Sequence, residues 1–355
     1  MAKGKTSETS GEHIFVRRVL IVLGLAALFF LAWQLRTLLL MLFGAVVIAT
    51  IFRAIADNLC RLTRLPNWAA TALSIILVIG LVGGLIAMFG TYVTAQFETI
   101  RIRLPEAWRV FEAWVGDFGL GNHLKALVAS INTPSGNFGR TLLSIGGGIA
   151  DFVVVIFAGI YLATQPQFYM TGAIKLVPPA RRDLATEAMM ESERALRLWL
   201  KGQGIAMIVV GALTGLGLWL LGMPSALALG LLAGLLEFIP FAGPILAAIP
   251  AVLLGLAVSP DMALWVALLY LAVQQFEGNV LTPLVQQYAV DLPGVVLLFS
   301  LIGFGALFGT LGVILAAPLA VVMMVLVKRL YVIETLHTDT PIPGVDKDEA
   351  PIKSL

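Results

Sequence analysis

Cysteine is almost absent. Cys60 is the only one in the chain, which excludes an intrachain disulfide and any CxxC metal or redox site. Charge is scarce as well: charged residues make up 12% of 355 positions, against about 25% in soluble globular chains. The hydrophobic set takes 59% and glycine another 35 residues. Too little polar surface remains to cover a water-soluble particle, so the partner of the surface is the lipid bilayer. This excludes a cytosolic enzyme, a secreted disulfide scaffold and a disordered chain. A β-barrel is disfavoured, because the apolar runs are continuous where barrel strands would alternate.

Chemical motifs are also missing. Gly4-Lys5-Thr6 lacks the preceding glycine that a phosphate-binding loop requires, so ATP-driven transport by this chain alone is excluded. There is no HExxH and no GxSxG, and His13, His123 and His337 all lie outside the apolar runs. An intramembrane metalloprotease or Ser-His protease therefore lacks its residues, and no enzymatic activity or cofactor is expected. The net charge is +2 with Lys and Arg scattered along the chain, which gives no nucleic-acid footprint.

What the chain does hold is apolar runs: 19–35, 37–52, 69–95, 141–164, 204–221, 225–258, 262–281 and 293–327. A span needs roughly 20 apolar residues at 1.5 Å each. The basic start (Lys3, Lys5, Arg17, Arg18) has the charge of a signal peptide, but no small-residue cleavage site follows and a second run opens at Thr37. It reads as a retained anchor helix. Basic clusters mark the cytoplasmic side. They are the N-terminal tail, Arg53 with Arg61 and Arg64, the set Lys175 to Lys201, and Lys328 with Arg329, whereas Arg36 stands alone between the first two runs. This pattern predicts both termini in the cytoplasm and 96–140 outside.

The fold class is all-α, a polytopic helical membrane protein with interrupted repeats in its C-terminal half. The expected organisation begins with residues 1–95, a cytoplasmic tail and three transmembrane helices. An external amphipathic helical segment, 96–140, follows, with Leu104, Trp108, Phe111, Val115 and Phe118 at helical spacing. Residues 141–203 hold a span and a cytoplasmic amphipathic segment striped by Ala185, Met189, Leu196 and Trp199. The transport core is 204–333, and 334–355, rich in Pro, Asp and Lys, is a disordered cytoplasmic tail.

Within the core, residues 221–253 align without a gap on 290–322. Pro224 falls on Pro293, Gly234 on Gly303, Gly243 on Gly312, and Ile245-Leu246-Ala247-Ala248 on Ile314-Leu315-Ala316-Ala317. Each copy is interrupted at its middle, by Glu237-Phe-Ile-Pro-Phe-Ala-Gly-Pro244 and by Gly305-Ala-Leu-Phe-Gly-Thr-Leu-Gly312. Proline removes a backbone donor, and a broken helix at membrane depth is tolerated only where its freed backbone groups line a cavity or bind something. Paired interruptions of this kind point to a transporter's binding site. Each copy is either a helical hairpin or a bent span. As hairpins they enter from opposite sides, related by inversion, with their tips meeting near the midplane. Gly211-xxx-Gly215 and Gly230-xxx-Gly234 mark close helix packing.

From Gly204 to Val327 there is no Lys, Arg or His, and the four charges are all acidic: Glu237, Asp261, Glu277 and Asp291. A carboxylate in hydrocarbon faces a cavity or a partner. With no basic residue nearby, that partner is a proton, a metal cation or water. Glu237 lies in the first break and Glu277 closes the polar run Gln274-Gln275-Phe276-Glu277-Gly278-Asn279, with Pro283 shortly after. Asp151 is a further intramembrane candidate, and Asp261 and Asp291 sit in short solvated connections. Glu277 and Asn279 offer oxygen ligands to a hard cation or a hydroxylated solute, and Na⁺ near Glu277 is the one metal site considered.

Trp199-Leu-Lys-Gly202-Gln203, Gly222-Met-Pro224, the Glu237–Pro244 block, Glu277-Gly-Asn279 with Pro283, and Leu307-Phe-Gly309-Thr-Leu-Gly312 leading to Ala317-Pro318-Leu319 resemble the signature blocks of the AI-2E family, the autoinducer-2 exporter or PerM-like permease group. The resemblance runs from about Phe15 to Ile333 and is densest after Trp199. It implies a bacterial inner-membrane secondary transporter that assembles as a homo-oligomer. Some members are linked to export of the quorum signal autoinducer-2, others to Na⁺(Li⁺)/H⁺ antiport. Position 237 varies within the family, which favours Glu277 as the coupling residue.

The expectation is therefore a transporter that exports a small polar solute by alternating access, coupled to protons or Na⁺. Its binding residues are Glu237, Pro240, Gly243, Pro244, Gln274, Gln275, Glu277, Asn279, Pro283, Gly309 and Gly312. The alternatives are an Na⁺(Li⁺)/H⁺ antiporter without organic substrate and a passive channel or membrane scaffold.

Overall fold

A computed structural model of the chain describes residues 8–84, 87, 152–286, 292–338 and 340–341. The expected external segment 96–140, Asp151, Asp291 and most of the tail 334–355 lie outside the described residues. Among those described, every regular element is helical. In chain order they are α1 (Glu8–Gln34), α2 (Arg36–Thr63), α3 (Asn67–Gly84), α4 (Phe152–Thr164), α5 (Pro166–Lys175), α6 (Arg182–Leu220), α7 (Ala226–Leu236), α8 (Ala242–Val258), α9 (Pro260–Phe276), α10 (Thr282–Gln286), α11 (Gly294–Phe308) and α12 (Thr310–Val327). The stretches 36–63, 67–84, 179–220 and 310–333 are long and apolar enough to cross a membrane. The pair α4 and α5, bent by 92° at its break, passes the same test as one broken span. The protein is a polytopic helical membrane protein.

Two expectations about boundaries are corrected. The chain does not turn back at Arg36. The Leu35 amide donates to the Leu31 carbonyl and the Leu39 amide to that of Leu35, so α1 passes into α2 through one distorted residue. With no loop there, the N-terminus loses its argument for sharing a side with Arg53. Nor does a new helix begin at 204. α6 is a single helix of 39 residues, because nothing between Arg182 and Leu220 breaks it; the change at Gly204 is one of polarity only. Its polar first third is tied to other elements by ion pairs. Arg197 bridges Glu193 on its own helix and Asp57 of α2, and Arg329, just after α12, meets Glu187 and Glu191. The stripe that packs is Ala188, Ser192, Ala195, Leu196 and Trp199, with Ala185 and Met189 half-buried beside it.

α6 runs through two cores. Near Ala195–Leu200 it packs with Leu40 and Val47 of α2, with Leu292, and with Leu315, Ala320, Val321 and Val325 of α12. Near Leu218 it joins Ala226 and Leu229 of α7, Ala251 and Leu254 of α8, and Val266 of α9. The start of α7 and the far half of α8 thus share one core, so the two helices fold back as a hairpin. α11 and α12 do the same.

The glycine motifs set the α6–α7 distance. A Cβ on Gly230 would lie 2.5 Å from the Cα of Gly215, and one on Gly234 2.5 Å from the Met207 carbonyl oxygen. Backbones this close gain dispersion and weak Cα–H···O contacts that larger residues would forbid. Gly230→Ala is expected to cost about 1–3 kcal/mol by overpacking, read as a lower melting temperature in detergent. An unchanged melting curve would show that the crossing yields freely.

The breaks are narrower than their sequences suggest. In the first, α7 ends at Leu236 and α8 begins at Ala242, so Ala242, Gly243 and Pro244 are already helical. Phe241 adopts φ 63°, ψ −48°, and the Ala242 amide reaches back 2.7 Å to the Pro240 carbonyl. This is a three-residue turn in a conformation that is rare and strained for an L-residue. The second break is Gly309 alone, at φ 67°, ψ −146°, a region open essentially only to glycine. The repeat is visible in three dimensions. A Cβ on Gly243 would lie 1.9 Å from the Leu236 carbonyl oxygen, and one on Gly312 2.0 Å from that of Phe304.

Candidate functional site

A cavity of about 320 Å³ lies between the first core, which supplies Trp199 and Leu292, and a small cluster of Val210, Val273 and Leu281. α6 supplies Trp199, Gly202, Gln203 and Ala206. The tip of the first hairpin supplies Glu237, Pro240 and Phe241. The end of α9 and the turn after it supply Gln274, Glu277, Gly278 and Leu281, and the entry to the second hairpin adds Leu292, Gly294 and Leu297.

Local structure explains how Glu277 reaches this space. α9 starts cleanly: the Ser259 hydroxyl accepts from the Met262 amide at 3.0 Å, with Pro260 at the first helical position and exposed Asp261 in the first turn. These are helix-start features and account for Asp261. At the other end, Glu277–Leu281 widens into a π turn, in which the Thr282 amide donates to the Glu277 carbonyl. Such turns carry one extra residue and occur often at functional sites. The Gln274 amide donates to Oε2 of Glu277 at 2.8 Å.

Glu237 is 2% exposed and its Oε2 meets no hydrogen-bond donor. The titratable group acting on it is Glu277. Two carboxyl groups therefore confront each other in a cavity whose lining contains no basic residue. The Glu237 carbonyl is held by the Gln203 amide at 2.6 Å, and the Phe238 ring meets Trp199 edge to face, with centroids 5.9 Å apart. α6 thereby clamps the tip at two consecutive residues.

The profile of the AI-2E family transporter matches residues 20–331. The chain belongs to the AI-2E transporter family. Within it, the chain is similar to "Putative transport protein YueF" of Bacillus subtilis, 27% identical over 303 residues that cover 79% of this chain and 82% of that one. A "Putative transport protein" of Haemophilus influenzae is 25% identical, covering 81% of this chain and 84% of that one. "Putative permease PerM" of Escherichia coli K12 is 29% identical over 176 residues, covering 48% of this chain and 49% of its own.

Of the residues the sequence singled out, the AI-2E fold brings Glu237, Pro240, Gln274 and Glu277 around one cavity. Gln275 and Asn279 bond to each other instead, at 3.0 Å on an exposed face. Pro283 is exposed, Pro244 is half-buried in α8, and Gly243 and Gly312 are buried beneath the carbonyls they abut. Gly309 is exposed, and no residue of the second break lines this cavity. Leu307 and Phe308, beside Gly309, line a separate groove with Trp33, Arg36 and Phe43. It is the entry of the second hairpin, not its tip, that lines the cavity with the first tip. Trp199, Gln203, Leu292 and Leu297 were missed as lining residues. Only the Trp199–Gln203 block had carried a signal, through its resemblance to the family.

Proposed function

We propose that the chain is a secondary transporter of a bacterial inner membrane rather than an enzyme. In this reading it exports a small polar solute of the autoinducer-2 kind by alternating access, with protons or Na⁺ exchanged at Glu277 and Glu237. The observation that supports it is the position of the cavity. It sits between the Trp199–Leu292 core and the Val210–Val273–Leu281 cluster, with one hairpin tip as a wall, and the carboxyl pair on its lining has no basic counter-charge. Rocking one against the other would expose the cavity to either side in turn. The basic clusters at 53–64, 175–201 and 328–329 and the C-terminus face the cytoplasm, and the assembly is a homo-oligomer. A second reading, Na⁺(Li⁺)/H⁺ antiport without organic solute, is favoured by the absence of any Lys, Arg or His between Gly204 and Val327.

Proteoliposomes containing the purified chain test both. Counterflow of labelled autoinducer-2 accompanied by proton movement is the expected result. Ion exchange without counterflow would favour the second reading, and ion-independent solute leakage would make the protein a passive channel.

A further inference from the structure

We propose that the solute class this cavity selects is a small aliphatic amine in its ammonium form. The inference rests on the reading that the cavity is the transport site, and it puts an ammonium ion there in place of the autoinducer-2-like solute. Glu237 provides the first observation: a cavity-lining side chain 2% exposed, whose Oε2 has no hydrogen-bond donor and whose carboxyl is confronted by that of Glu277. Buried polar atoms left in this state are costly, so the native partner is a donor brought from outside. The second carboxyl, Glu277, has one donor, the Gln274 amide.

Donor and acceptor accounting for the rest of the lining points the same way. Gln203 already gives an N–H to the Glu237 carbonyl and Gln274 one to Glu277. Each of these amides keeps a carbonyl oxygen and one N–H, and the Thr282 hydroxyl and the two carboxyl groups also line the space, a set with more acceptors than donors. An ammonium group carries three N–H donors and a positive charge, and satisfies such a set where a second carboxylate or a phosphate would be repelled. The remaining lining suits an alkyl chain. Pro240, Leu281, Leu292 and Leu297 are apolar, and the rings of Trp199 and Phe241 favour a cation through their π faces. A space of about 320 Å³ is in the range of small-molecule sites and far larger than a bare monovalent ion needs. Coupling follows from charge alone: amine and protons compete for the same two carboxyl groups, so the loaded cation displaces protons.

The test uses the full chain in proteoliposomes under a pH gradient, with labelled butane-1,4-diamine as probe and the neutral, similarly shaped butane-1,4-diol as competitor. Saturable diamine flux at least tenfold above empty vesicles is expected, with protons moving oppositely and no competition by the diol. Glu237→Gln, which keeps the size of the side chain, is expected to lower that flux at least tenfold. A second measurement in detergent guards against failed folding: the diamine raises the melting temperature of the wild type and not of Glu237→Gln. Equal competition by diol and diamine overturns the inference. So does absence of diamine flux in vesicles that still carry autoinducer-2 or exchange Na⁺ for H⁺, a result that leaves the transporter reading standing. Vesicles inert to all three, with no thermal shift, overturn both.

Discussion

Replacing Gly243 with alanine is expected to disrupt the tip of the first hairpin and abolish transport. The obstacle is backbone, not a side chain that can swing aside: the new methyl would stand 1.9 Å from the Leu236 carbonyl oxygen. Relief requires α7 and α8 to part, and Ala226, Leu229, Ala251 and Leu254 share the core that holds them together. The cost is about 3 kcal/mol or more, the upper end of overpacking, and it falls on a turn already strained at Phe241. Melting in detergent and coupled flux should both fall sharply. Gly303→Ala serves as the comparison, because a Cβ there meets nothing within 4 Å and the residue does not line the cavity. If Gly243→Ala melted and transported like the wild type, the tip would be far looser than its geometry states.

Glu277→Gln is expected to separate folding from coupling. Glutamine keeps the side-chain volume and can still accept from the Gln274 amide, so the melting temperature should be held or rise, since one of two facing carboxyl groups is gone. Ion-coupled flux should drop at least tenfold, because no exchangeable charge remains at the π turn. A variant with full coupled flux would remove Glu277 from the mechanism and leave Glu237 alone. Loss of flux accompanied by loss of the fold would instead assign Glu277 a structural role.

How much of this was legible beforehand depends on the range of the interaction. The two interruptions were readable because proline and clustered glycine act locally on the backbone, although only Phe241 and Gly309 prove to be special in conformation. The paired GxxxG motifs were readable because helical spacing puts both glycines on one face. The continuity of α6 was obscured at Gly204, where polarity changes and helix formation does not. Gln203 carried no periodic signal; its importance comes from a carbonyl 34 positions away. The placement of the second tip is likewise tertiary. Phe308 sits with Trp33 and Arg36, a pairing that no spacing within the repeat encodes.

The length of α6 has a mechanical consequence. At 1.5 Å per residue, its 39 residues extend about 58 Å, roughly twice the hydrocarbon thickness. One end is gripped by the core around the first hairpin, while the other carries the glutamates and the arginine that latch onto α2 and the end of α12. Such a rod acts as a lever with the cavity near its fulcrum. A tilt of about 10° would sweep an arm of about 30 Å, set by the 1.5 Å rise, through roughly 5 Å. Glu187 and Glu191 lie well out on that arm, so the tilt would pull at their contacts with Arg329, and occupancy of the cavity would be felt as making or breaking of charge pairs at a distance from the solute.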